Sequence, residues 1–178
     1  MGASERISKI VESQGPSQRA LKEASGILAE AISQALKVKT EEVAVLILTS
    51  TRQTLRFVWP PQLFESQAAF PANHKSAIAS IVLTTMKGKV DNKLAESKHL
   101  KFYESVKGME TSKVPIQKMV ALPLVAGAQP LGVVEVSRKG ATPEEAGPNF
   151  SPQDAQTLVG ICKECAPLIE RLVPQSFL

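Results

Sequence analysis

Residues 42–50 read Glu-Val-Ala-Val-Leu-Ile-Leu-Thr-Ser, and Val43 to Leu48 form an unbroken apolar run within them. A run of this length, rich in β-branched side chains and Leu, is strand-sized, and without polar alternation it offers no face to water. The strand must be covered on both sides, so the sheet that holds it lies between layers.

The covers are legible at both ends of the chain. After Ser17, a plausible N-cap, apolar residues recur at Leu21, Ala24, Ile27, Leu28, Ala31, Ile32, Ala35 and Leu36. These gaps of three and four residues define one face of an Ala-rich helix about five turns long. Near the other end, Ser151-Pro152-Gln153-Asp154 supplies a cap, a first-turn proline and an acid that complements the helix dipole. The helical pattern runs on through Ala155, Leu158, Val159, Ile161, Cys162, Cys165, Ala166, Ile169 and Leu172, with Pro167 expected to kink it or end it early. Residues 1–16 hold a short amphipathic stretch at Ile7, Ile10 and Val11, read as an arm or short, frayed helix, closed by Gly15-Pro16.

Between these helices the chain alternates strands with irregular pieces. Leu55 to Trp59 returns from the first strand as a half-exposed partner and stops at Pro60-Pro61; residues 60–74, with three prolines and no period, read as loop. Lys75 to Met86 reads as a helix closed by Gly88. The lysine-rich segment 88–113 is anchored by Leu94, Leu100, Phe102, Tyr103, Val106 and Met109, with a short helix expected over Leu100 to Val106. Ile116 to Val125 and Leu131 to Ser137 form a second hairpin, in which Pro123 signals an edge, a bulge or a missing ladder bond. The order helix, hairpin, helix, hairpin, helix predicts an α+β domain with a central antiparallel β-sheet and the long N- and C-terminal helices on one face.

Composition excludes several classes. With 178 residues the chain is sized for one domain, and at 4% aromatics its core must come from Val, Leu, Ile and Ala. The net charge of +4 is dilute: even the densest stretch, Lys87 to Lys113, sets seven Lys against four acids, which reads as a solvated face rather than a nucleic-acid surface. An anion-attracting rim around a pocket is the functional alternative. No apolar run nears the ~20 residues that span a bilayer, and Met1 to Arg6 lacks both a secretory h-region and a myristoylation signal. Two cysteines make no disulfide framework, so the expected setting is cytoplasmic, without membrane or nucleic acid as partner.

The chemistry-bearing residues are few. Cys162 and Cys165 have a C-x2-C spacing, but two thiols on one helix face cannot complete a tetrahedral zinc site, and His74 and His99 fall in separate loops. Both thiols read as core. No Ser, Cys or Thr carries an activating motif, and no Gly-rich phosphate loop is present. Phe57, Trp59, Phe102 and Tyr103 either plug the core or line an apolar cavity, which Met119 would share. Glu135, alone in an apolar strand, sits at an exposed edge or makes a polar contact inside that cavity. Arg56 and Lys118 are expected to snorkel to the surface.

Residues 116–172 resemble the C-terminal half of a GAF domain. The resemblance rests on Ala121-Leu122-Pro123-Leu124, Gly127-Ala128-Gln129, Leu131-Gly132-Val133-Val134-Glu135-Val136 and Phe150-Ser151-Pro152-Gln153-Asp154, in that order. Weaker likeness at Lys75 to Val90 and at Phe102-Tyr103 extends it over about residues 17–173, leaving 1–16 as the arm and 174–178 as a tail. The resemblance implies that short helices and loops roof the second face of the sheet and that ligands sit beneath them. It also implies that the terminal helices often form a dimer interface. Cyclic-nucleotide-binding members carry an Asn-Lys pair and a Phe with Asp-Glu four and five residues later. Here Arg138-Lys139 and Phe150 with Asp154-Ala155 make a half-match that helix capping explains equally well. Bilin-binding members and the family's methionine-sulfoxide reductases need roof thiols, whereas these thiols fall on the terminal helix. The resulting expectation is a non-catalytic sensory domain that binds an unidentified small molecule near Phe57, Trp59, Phe102, Tyr103, Met119 and Glu135 and signals as a homodimer through its terminal helices. No cofactor is indicated. The alternative is a dimerising interaction module with a collapsed pocket.

Overall fold

The computed structural model describes residues 1–97 and 114–178. Six strands form one antiparallel sheet: β1 (Val43–Leu48), β2 (Thr54–Trp59), β3 (Ala69–Pro71), β4 (Lys89–Asp91), β5 (Ile116–Ala126) and β6 (Gln129–Lys139), in the order β3-β2-β1-β6-β5-β4. The helices are α1 (Ala3–Gln14), α2 (Gln18–Leu36), α3 (Pro61–Glu65), α4 (Ile78–Thr85) and α5 (Pro152–Glu170). β1 lies at the centre, between β2 and β6, which is why its run is apolar throughout.

Strand alternation splits the core in two. Val43, Val45 and Ile47 of β1, Val120, Leu122 and Leu124 of β5, and Val134 and Val136 of β6 face α2 and α5. Leu46 and Leu48, Met119 and Ala121, and Val133 face the roof, where α4 and the segments beside it cover them. The β1–β6 contact is so close that a Cβ on Gly132 would lie 1.9 Å from the Leu46 carbonyl oxygen, so only glycine fits there.

Both long helices start where their caps predict. Ser17 Oγ accepts from Ala20 N at 3.0 Å, and Ser151 and Asp154 form a reciprocal capping box. α5 runs one turn-fraction beyond Pro167 to Glu170, neither ending before it nor stopping at it; Pro167 is exposed, so its missing donor falls on the wet side of the helix. The amphipathic stretch near the start is a full helix. α1 lies across α2 and α5 and buries Ile7 and Ile10 against them.

Several expectations are corrected. Residues 60–74 are not plain loop: Pro61 opens α3 at a position where its missing N–H costs nothing, and β3 extends the sheet. β2 is buried rather than half-exposed, because α3 and Phe177 close over its helix-facing side. Pro123 follows the edge alternative of its sequence reading: it sits beyond the end of β4, which pairs with β5 only at residues 119–121, so no ladder partner misses its N–H. Residues 174–178 lie against the β1–β2 turn, with Phe177 fully buried and Ser50 Oγ donating to the Gln175 carbonyl at 2.7 Å. The expected helix over Leu100 to Val106 lies outside the described residues.

Candidate functional site

At the middle of the roof-facing side of the sheet stands a buried acid. Glu135 is 2% exposed at the middle of β6, and its cross-strand neighbours are Ala44 on β1 and Ala121 on β5. It is therefore not at an edge, as one of the two readings of the sequence had it. By alternation it shares the roof face with Val133, which belongs to the same apolar cluster as Leu46 and Met119. The two flanking alanines are the smallest side chains of that face, and they leave the space above the carboxylate to whatever covers it.

Of the residues expected to line a pocket, Phe57, Met119 and Glu135 do share the roof face, all buried. Phe57 packs edge-on against Phe70, ring centroids 5.9 Å apart at 64°. Trp59 does not join them. A bulge between Val45 and Leu46 shifts the register, so Val58 and Trp59 both turn toward α2. There the indole lies on Gly26, where a Cβ would come within 3.0 Å of the ring, and Nε1 donates to the Thr40 carbonyl at 3.0 Å. Phe102 and Tyr103 lie outside the described residues. Phe70 and the alanine pair escaped the sequence reading: β3 is too short to show a period, and an alanine signals nothing until its neighbour is known.

Three cations expected at the surface or unassigned are buried on the helix-facing side. Arg56 is sandwiched between the Phe64 and Phe177 rings and donates to the Leu178 carbonyl and to Gln18 Oε1. Burial lowers its pKa from the ordinary value. Arg138 stacks on Phe150 at 4.7 Å and donates to the carbonyls of Leu36 and Lys37, the open C-terminal end of α2. Lys118 donates to the Gly147 carbonyl at 2.6 Å. Arg56 and Lys118, expected to snorkel to the surface, stay inside because carbonyls from distant segments and, for Arg56, two rings receive them.

The thiols are inert by position. Cys162 and Cys165 face the sheet within the helix-side core, and burial pushes their pKa values from 9.0 up to about 12 and about 11. Among the described residues no three His, Cys, Asp or Glu side chains come together as a metal site, and no helix is long and apolar enough to cross a membrane.

Solved structures resolve what kind of fold this is. The GAF domain of an Acinetobacter phosphoenolpyruvate-protein phosphotransferase superposes with a TM-score of 0.66 at 15% identity, over 94% of this chain and 90% of that one. The chain has a GAF fold. A segment of a methyl-accepting chemotaxis protein matches with a TM-score of 0.67 at 16% identity over 96% of both chains. A type II free methionine-R-sulfoxide reductase from Thermoplasma acidophilum shares the GAF fold more loosely, with a TM-score of 0.54 at 16% identity over 86% of this chain and 98% of that one. No family model and no curated protein matches the sequence.

Proposed function

We propose that this GAF-fold chain is a non-catalytic sensory domain that holds a small molecule on the roof face of its sheet, above Glu135. The observation that carries the reading is a carboxylate buried at mid-strand between two alanines on the roof face. A ligand presenting an N–H or ammonium donor would be oriented by Glu135, while Phe57 and Met119 supply apolar contact. The response would pass to the terminal helices, since α2 and α5 pack on the opposite side of the same strands and α1 crosses both. The fold neighbours taken from a phosphotransferase and a chemotaxis protein support a regulatory role. The buried, high-pKa thiols support a role other than that of the reductase neighbour.

A thermal-shift screen against amines, amino acids and nucleotides tests this. A true ligand at a hundredfold excess over Kd adds about 2.7 kcal/mol of stability, and Glu135→Gln should remove most of that gain. If no compound stabilises the wild type, or the gain survives in Glu135→Gln, the reading fails.

A second reading has its own support. Leu46, Leu48, Leu55, Phe57, Leu63 and Phe70 join Ile78, Val82 and Leu83 of α4 in one cluster on the roof face, with α4 lying over β5 and β6. A roof packed to the same density over Glu135 would make the chain an interaction module that works through its helices, as a homodimer or with a partner. Light scattering at high concentration separates the two: a monomer that binds a small molecule favours the sensor.

A further inference from the structure

A separate hollow of about 220 Å³ opens beside the β4–β5 edge. Its walls are Asn92, Lys93, Ala95 and Glu96 after β4, Gln117 and Lys118 of β5, and Pro143 and Asn149 of the loop between β6 and α5. We propose that it binds a small organic monocarboxylate, with the Lys118 ammonium as its counter-charge.

Lys118 is the reason. The residue is 5% exposed, yet among the described residues it forms no ion pair and only one hydrogen bond, to the Gly147 carbonyl. An ammonium has three donors, and a buried charge without an opposite partner is unfavourable. The hollow lies where that charge can be answered. The other two buried cations differ. Arg138 meets two carbonyls and a ring, and Arg56, which borders a hollow of similar size, meets two acceptors and two rings, each leaving only its Nε without an acceptor among the described residues.

Polar neighbours are already fixed in place. Gln117 Nε2 donates to the Gly140 carbonyl at 2.9 Å, and Asn92 bonds both the N–H and the carbonyl of Phe150, at 2.8 and 3.0 Å. These contacts hold the 140–149 loop as a rigid wall. Size and charge then choose the ligand. At about 30 Å³ per water the hollow takes roughly seven waters' volume, enough for a small acid and too little for a nucleotide. Among the described residues, two lysines against Glu96 leave one net positive charge on the walls, which suits a single carboxylate better than a phosphate of about −1.5 to −2.

The test is an amide chemical-shift titration of the whole chain with sodium propionate, with sodium phosphate and sodium chloride run at equal ionic strength. Propionate should give saturable shifts at Gln117, Lys118 and Asn149. Its affinity should fall at least tenfold in Lys118→Met and stay unchanged in Lys89→Met. Glu96→Gln, which removes the wall's one carboxylate and leaves Lys118 in place, should bind severalfold tighter and carries the test if Lys118→Met does not fold. Saturable shifts with phosphate but not propionate would overturn the assignment, as would no saturable shift at these amides, or equal affinity in Lys118→Met and wild type. Propionate binding lost in Glu135→Gln but kept in Lys118→Met would move the acid to the roof face and overturn this site while sparing the sensory reading.

Discussion

On the helix-facing side of the sheet, Val43, Val45, Ile47, Val120, Leu124, Val134 and Val136 meet two helices of 19 residues each, and the polar groups stand at the margins, where Arg56, Lys118 and Arg138 reach backbone carbonyls. On the roof side the same strands meet the short helix α4 and the segments beside it, and Glu135 stands buried at mid-strand. Long regular helices satisfy their own backbone and leave only their ends to be answered, so cations at the rim suffice. A face covered by a short helix and its flanking segments has no such regularity. The contrast sets a scaffold on the helix side against a roof face on which the proposed ligand would sit.

Substitutions can break or sharpen this contrast. The largest effect is expected where both faces share one strand pair: Gly132→Ala drives a methyl into the Leu46 carbonyl and should cost more than about 4 kcal/mol, seen as loss of a cooperative urea transition. Next comes a matched pair, Leu28→Ala on the helix side and Leu55→Ala on the roof side, both fully buried. If the two faces are equally solid, each should lose about 3 kcal/mol in urea melts. A clearly smaller loss at Leu55 would mark the roof as the more yielding face. Arg138→Met, which strands the α2 carbonyls, should cost about 2 kcal/mol, and far less if those carbonyls find water.

The thiols give a pH test of the helix side. Their pKa values are raised on folding, so the folded state holds its protons longer than the unfolded state. Their stabilising contribution is full below pH 9 and declines as pH rises from 9 toward 11 and 12. Each thiol contributes up to about 1.4 kcal/mol per pH unit in that window. The Cys162→Ala, Cys165→Ala double variant should therefore show a flatter stability curve above pH 9 than the wild type. The smallest effect is expected at the rim. Lys22 and Glu65 join α2 to α3 in an exposed pair at 3.0 Å, and Lys22→Ala should change stability by less than about 0.5 kcal/mol.

The legible part of the fold follows the same division. α2, α5, β1 and the β5–β6 hairpin carry periodicity, caps and apolar runs over six residues or more, and each lies close to where the sequence places it. β3 and β4 are three residues long and owe their ladders to β2 and β5; Val90 of β4 even points its apolar side chain outward. No local pattern announces a strand whose stability comes from its neighbour. In the site, Phe57, Met119 and Glu135 were readable as a group because strand alternation decides which face a residue takes. Trp59 was not, because one bulge reverses that count. The burial of Arg56 and Lys118 was hidden for another reason: their acceptors are carbonyls some 30 and 120 residues away in sequence, which no residue type reveals.

The contact between Trp59 and Gly26 has a practical consequence. The chain contains a single tryptophan, and its indole rests on α2 from the strand side. Its emission therefore reports the spacing between helix and sheet without any attached dye. A compound that moved α2 would alter the colour or yield of that light, while one that left the helix in place would pass unseen.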